Sequence, residues 1–182
     1  MRISLRILAK AKRIKLILMD ADGVLSEGQV TYGDGNLELK SFDVRDGAGI
    51  ELARMAGIKT GVISGRESAA LYRRAKELGI EEIHQSVINK AEVYKKILEK
   101  YSLWDEDVAY IGDDILDLPI LLQVGLSAAV ADAHPEVKKR VNLVTPSPGG
   151  RGAVRELVEL ILRAQKKWKG LLKQFLVEQF LI

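Results

Sequence analysis

The 182-residue chain contains no cysteine. That absence excludes disulfides, thiolate zinc sites and cysteine nucleophiles, and it fits a reducing compartment. A long apolar run is missing too: no segment approaches the ~20 residues that a membrane span requires. The N-terminus is basic (Arg2, Arg6, Lys10, Lys12, Arg13) ahead of an apolar stretch, as in a signal peptide. That stretch is short, ends in acids and offers no small-residue cleavage site, so a soluble, cytoplasmic protein is expected. Charge of one sign is also scarce. Lysine and arginine exceed the acids by only three, and aromatics make up 5% of the chain. Neither the basic footprint nor the aromatic platform of a nucleic-acid binder is present, though a mild positive bias suits an anionic substrate. With no internal repeat or low-complexity segment, a single domain over residues 1–182 is expected.

What is present centres on residues 14–25, IKLILMDADGVL. The run from Ile14 to Met19 has no polar face, which predicts a strand buried on both sides of a parallel sheet. It stops at Asp20 and Asp22, two residues apart, and Gly23 lets the chain turn away without a Cβ clash. The carboxyl end of such a strand is where open α/β sheets bind ligands. Two acids this close repel each other unless a cation holds them, which predicts a hard divalent ion, most plausibly Mg²⁺. A carboxylate neutralised in this way can still attack phosphorus, and the second acid can protonate the departing oxygen and then activate water.

Further along, Val30 and Tyr32, then Leu37, Leu39 and Phe42, flank Gly33-Asp34-Gly35-Asn36, a strong turn signal. This predicts a β-hairpin within residues 24–43, hanging over the acids as a flap. Arg45-Asp46-Gly47-Ala48-Gly49 leads into a helix expected over 48–56. Strands are expected at 58–63, 80–88, 108–112, 126–131 and 141–145. Helices are expected from Ser68 to Leu78, from Lys90 to Tyr101, and in a short stretch after Pro135. Strand and helix alternate at the spacing of βαβ crossovers, so the fold class is α/β: a doubly wound, Rossmann-like parallel sheet with a hairpin flap and no separate cap domain. Residues 146–152, PSPGGRG, have the composition of a flexible loop. From Ala153 onward one helical stripe runs through Val154, Leu157, Val158, Ile161, Ala164, Trp168, Leu171, Leu172, Phe175 and Leu176. The tail 149–182 is too apolar to serve only this sheet, and an oligomer contact is favoured over a membrane-surface helix.

Four strand ends thus carry reactive groups: Asp20 and Asp22; Ser64 and Gly65; Lys90; and Asp113 with Asp114 and Asp117. Alone, each is a common turn or cap. Together they supply what phosphoryl transfer needs: a nucleophile, an acid–base group, donors to the equatorial oxygens and carboxylates for a metal. Ser64 and the N–H groups of the turn after it are expected to hold phosphate at a helix N-terminus.

DADGV at 20–24, VISGR at 62–66, NK at 89–90 and GDDILD at 112–117 closely resemble the signatures of haloacid-dehalogenase-type phosphatases, over nearly the whole chain. The resemblance implies Asp20 as nucleophile and metal ligand. It makes Asp22 the general acid/base, with its backbone carbonyl on the metal. Asp113 becomes the third metal ligand, Ser64, Gly65 and Lys90 phosphate-binding residues, and Asp114 and Asp117 supporting acids. FDVRDGAGI (42–50), VADAHPEVK (130–138) and GGRGAVRE (149–156) further resemble the small subclass acting on 3-deoxy-D-manno-octulosonate (KDO) 8-phosphate in lipopolysaccharide precursor synthesis. That subclass implies a capless homotetramer whose neighbouring subunits complete the site, with Arg45, Asp46, Gly47, Arg66 and Arg74 near the substrate. The alternatives are a phosphatase for another sugar acid, such as N-acetylneuraminate 9-phosphate, and a non-catalytic oligomeric binding protein.

Overall fold

The computed structural model describes residues 4–35 and 37–178. In chain order its elements are helix α1 (Leu5–Ala11), strand β1 (Leu16–Met19), the hairpin strands β2 (Thr31–Tyr32) and β3 (Glu38–Leu39), and helix α2 (Val44–Met55). Strand β4 (Lys59–Ile63), helix α3 (Ala69–Glu77), strand β5 (Glu82–His84) and helix α4 (Lys90–Tyr101) follow. Then come β6 (Val108–Gly112), α5 (Leu118–Leu121), β7 (Leu126–Ala129), α6 (Pro135–Lys138), β8 (Leu143–Val144), α7 (Ala153–Ala164) and α8 (Trp168–Glu178).

Six strands form one parallel sheet in the order β5-β4-β1-β6-β7-β8. The apolar run at 16–19 occupies the centre because all four of its side chains are buried, which only a strand covered on both faces can achieve. The chain moves outward from β1 to β4 and β5, then crosses back to β6 on the other side. This reversal is a topological switch point, and it places the carboxyl ends of β4, β1 and β6 side by side. Ser64, Asp20 and Asp113 are the residues immediately after those three strands.

Several expectations are corrected. Helix α2 starts at Val44, capped by Asp43, whose carboxylate accepts the Arg45 N–H at 2.7 Å. Arg45, Asp46 and Gly47 are therefore helical rather than a leading loop. Glycines 47 and 49 argue against a helix by propensity, but packing against α7 overrides it. The 146–152 segment is not a loose loop. A Cβ on Gly149 would lie 1.7 Å from the Gly23 carbonyl oxygen, and the Gly150 N–H donates to the Val24 carbonyl at 2.8 Å. Glycine is needed there for close approach to the turn carrying the acids. The tail does not run on as one helix. It breaks at Gln165–Lys167, with Lys166 at φ 60°; of the stripe's α8 part Leu171 is buried, whereas Leu172, Phe175 and Leu176 are exposed. Asn36 of the turn and residues 179–182 of the tail lie outside the described residues.

Candidate active site

Asp20 is fixed by its own backbone, whose N–H donates to the Ile111 carbonyl of β6 at 3.0 Å. The residue is 7% exposed. Lys90, the first residue of α4, reaches across and donates from Nζ to Asp20 Oδ1 at 2.5 Å and to Asp117 Oδ1 at 2.7 Å. Asp117 is the most enclosed acid here: Oδ1 also accepts the Tyr110 hydroxyl at 2.7 Å, and Oδ2 accepts the N–H groups of Asp113 and Asp114. Both carboxylate oxygens of Asp117 are thus engaged, Oδ2 by the loop after β6 and Oδ1 by Tyr110 and Lys90. Asp114 is exposed and caps the following turn through the Ile115 N–H. Asp113 is held from behind by the His134 N–H on its carbonyl, at 2.8 Å.

The turn after β1 is tight because Gly23 has φ +90°, and a Cβ there would fall 2.2 Å from Asp113 Oδ2. Asp22 lies at the rim. Its Oδ1 accepts the Ser26 hydroxyl at 3.3 Å and the Lys40 ammonium, while Oδ2 is buried without a partner. Ser64 is 2% exposed, and its Oγ accepts the Arg66 N–H at 3.2 Å. It does not sit at a helix N-terminus, because α3 begins five residues later and is capped by Ser68. The turn 65–67 faces the site instead.

These groups line one cavity of about 270 Å³ that takes in Asp20, Asp22, Ser64, Gly65, Arg66, Lys90, Asp113, Asp114 and Asp117. A larger groove of about 410 Å³ between α1, β8 and α7 has its charges already engaged: Arg155 and Arg163 pair with Glu159, and Glu156 accepts from the Ser147 N–H and hydroxyl. Nothing reactive faces it. Of the five residues expected near the substrate, only Arg66 lines the catalytic cavity. Asp46 is buried and accepts the Gly152 and Arg155 N–H groups at 3.0 and 2.9 Å, capping α7 from α2. The Arg74 guanidinium lies over Gly47, where a Cβ would be 2.4 Å away. Arg45 forks onto Asp43 and the Arg151 carbonyl. Within one chain these four join α2, α3 and α7.

Sequence reasoning missed two members of the constellation. Tyr110 is an apolar-strand residue whose hydroxyl reaches Asp117, and alternation along β6 is its only signal. Lys40 comes from the hairpin, and nothing local points it at Asp22.

Electrostatics explain the cluster. Burial, then the Asp117 charge, pushes the Asp20 carboxyl above its ordinary range, with Lys90 opposing. Burial and the neighbouring acids push Asp113 up to about 7. Burial alone would lower the Lys90 pKa, but Asp20 and Asp117 outweigh it and raise it. Carboxylate oxygens of Asp20, Asp113 and Asp117 lie within 4.8 Å of one another. Hard, crowded oxygens with one lysine against several acids fit a divalent cation such as Mg²⁺. The sign of the pH dependence follows. An acid whose folded pKa is raised contributes stability below its unfolded pKa, and that stability is lost as pH rises towards about 7. Mg²⁺ must displace those protons, so it should raise the melting temperature more at pH 8 than at pH 5.5. At a hundredfold excess over Kd the gain is about 2.7 kcal/mol. Scanning calorimetry with Mg²⁺ or EDTA at both pH values checks this; equal shifts would count against the carboxylate site.

Residues 73–157 match the haloacid dehalogenase-like hydrolase family. The 3-deoxy-D-manno-octulosonate 8-phosphate phosphatase of Escherichia coli K12 is 46% identical over 165 residues, 91% of this chain and 88% of that protein. The chain belongs to the KDO 8-phosphate phosphatase family. The family's crystal structure from Yersinia pestis superposes with a TM-score of 0.91 at 43% identity, covering 92% of this chain and 91% of that one. A second family member, from Moraxella catarrhalis, was solved with a magnesium ion, a phosphate ion and KDO. It superposes with a TM-score of 0.90 at 40% identity, covering 93% of this chain and 97% of that one.

Proposed function

We infer that the protein is a Mg²⁺-dependent phosphatase that hydrolyses KDO 8-phosphate to KDO and phosphate. The observation that carries this reading is the convergence of Asp20, Asp113 and Lys90 at one switch point, in a chain 46% identical to phosphatases named for that substrate. Asp20 is the nucleophile. Its free oxygen attacks phosphorus, Asp22 protonates the departing sugar oxygen, and an aspartyl phosphate forms on Asp20. Asp22 then takes a proton from water, which attacks the aspartyl phosphate and releases phosphate. Lys90 and Ser64, with the turn N–H groups at Gly65 and Arg66, hold the phosphoryl oxygens, and Arg66 is placed to meet a carboxylate or phosphate with its guanidinium fork. Asp20, Asp113 and the Asp22 carbonyl would hold magnesium, which would offset the negative charge gathered at the reacting centre. Asp114 and Asp117 support the loop that presents Asp113.

The finer reading is of one cytoplasmic hydrolase domain, with 24–43 as the flap and 149–182 as an oligomer contact, serving lipopolysaccharide precursor synthesis. A tetramer is favoured by apolar side chains left bare around the cavity mouth: Ile88 is fully exposed and Leu116 and Tyr32 are each 72% exposed. A neighbouring subunit covering them would also bring a second set of basic residues, Arg45 included, towards the sugar acid. No helix is long and apolar enough to cross a membrane, among the described residues.

The test is phosphate release from KDO 8-phosphate with Mg²⁺ and with EDTA, beside N-acetylneuraminate 9-phosphate and other sugar phosphates. Selective, metal-dependent release of KDO is expected. Unselective release would discard the substrate and keep the reaction, and no release would leave a binding protein. Light scattering of the same sample reports the oligomer.

A further inference from the structure

The hairpin's contact with Asp22 goes beyond a lid. Side chains on a strand alternate, so Glu38 and Lys40 face one side and Leu37 and Leu39 the other. Leu37 and Leu39 are more than half exposed, whereas the Lys40 side chain is only 1% exposed. An ammonium is buried this completely only when it is paired. Its partner is Asp22 Oδ1, with Glu38 Oε1 at 3.7 Å. Glu38 in turn lies 3.6 Å from Arg66, which donates to the Tyr32 hydroxyl at 3.0 Å. The flap is therefore tied down by charge at both faces of the cavity, on Asp22 and on Arg66.

Resting on the phosphatase reading, we propose that Lys40 is the positioning residue of the acid–base group. Together with Ser26 it takes Oδ1 of Asp22, which fixes the carboxyl rotamer and leaves Oδ2 as the oxygen that carries the proton. Oδ2 is without a hydrogen-bond partner and shielded from solvent, as a proton carrier sealed from bulk water must be. A lysine supplied by the flap also makes the acid competent only while the flap is seated. Lys40 touches no reacting atom in this arrangement; it acts through Asp22.

The consequence is a leaving-group dependence. A sugar alkoxide departs only when protonated, whereas a nitrophenolate departs without help. A general acid contributes ~10²–10⁴-fold where it is needed. Lys40→Met should therefore lower kcat/KM, which covers the steps through departure of the leaving group, by roughly 10–100-fold on KDO 8-phosphate, part of that contribution. On p-nitrophenyl phosphate it should lower kcat/KM only a few-fold. Lys40→Arg, which keeps the charge, should recover part of the sugar-phosphate rate. In an Asp22→Asn background the Lys40→Met change should add little, since residues acting as one unit are not additive.

Equal losses in kcat/KM on both substrates, an undiminished kcat/KM on the sugar phosphate, or full additivity with Asp22→Asn would overturn the proposal. If Lys40→Met does not fold, as judged by circular dichroism, Lys40→Gln carries the same comparison, with Lys40→Arg as the charge-keeping control. The wild-type enzyme keeps the two readings apart. Its failure on every phosphate overturns the phosphatase reading and this proposal with it; its normal turnover beside an unselective Lys40 variant overturns this proposal alone.

Discussion

Asp20→Asn should reduce phosphate release from KDO 8-phosphate by at least about 10⁴-fold, the scale seen when an enzymatic nucleophile is removed. The amide is nearly isosteric, so geometry is kept while the attacking oxygen loses its charge and nucleophilicity. Stability should not fall with activity. Asp20 is 7% exposed, and burial and Asp117 push its carboxyl up, so its ionised form is disfavoured by its surroundings. Removing that charge relieves repulsion among Asp20, Asp113 and Asp117, although Lys90 loses one of its two partners. In EDTA the melting temperature of Asp20→Asn should equal or exceed that of the wild type. The stabilisation by Mg²⁺ should shrink, because a ligand is gone. Single-turnover assays and calorimetry on the same preparation check both halves. A variant that unfolds, or that retains wild-type turnover, would refute the assignment of Asp20.

Lys90→Met should damage both stability and rate. The Lys90 side chain is 10% exposed and bridges two acids that are themselves 11% and 1% exposed. Removing the cation leaves buried carboxylates uncompensated, which costs about 3–5 kcal/mol. For a chain of this length that is a fall in melting temperature of roughly 6–20 °C. The sign of the pH dependence is fixed by the same contacts. Lys90 is what opposes the upward shift of both Asp20 and Asp113, so without it their folded pKa values rise further. A raised folded pKa gives stability at low pH that is lost as pH rises, so the deficit should be larger at pH 8 than at pH 5.5. Phosphate release should drop by at least about 10²-fold, the usual cost of losing one donor to a developing charge. A loss of rate without any loss of stability would mean that the bridge to Asp117 contributes nothing to the fold.

The amino-acid sequence by itself determined the sheet and the strand ends that carry Asp20, Ser64 and Asp113. The runs at 16–19 and 108–112 are apolar on both faces and 59–63 is so beyond Lys59 and Thr60, so they read as covered strands, and the polar residue ending each lands at a strand's carboxyl end. Asp20, Ser64 and Asp113 were legible for that reason. Helices α3 and α4 were legible because Ser68 and Asn89 are local caps. The hairpin was legible from its turn residues. All of these signals lie within a few residues of what they specify.

Only the tertiary structure decided the rest, because the partners are distant in the chain. Lys40 meets Asp22 only once the hairpin folds back, and Tyr110 and Lys90 meet at Asp117 only once β6 and α4 converge. Asp46 caps a helix more than a hundred residues away, a contact no neighbouring residue announces. The glycines at 149 and 150 suggested freedom by composition, yet they are glycines because another backbone lies where a Cβ would stand. Local chemistry marks where a strand or helix ends. Which charge neutralises which is set by distances that exist only after the sheet has closed up.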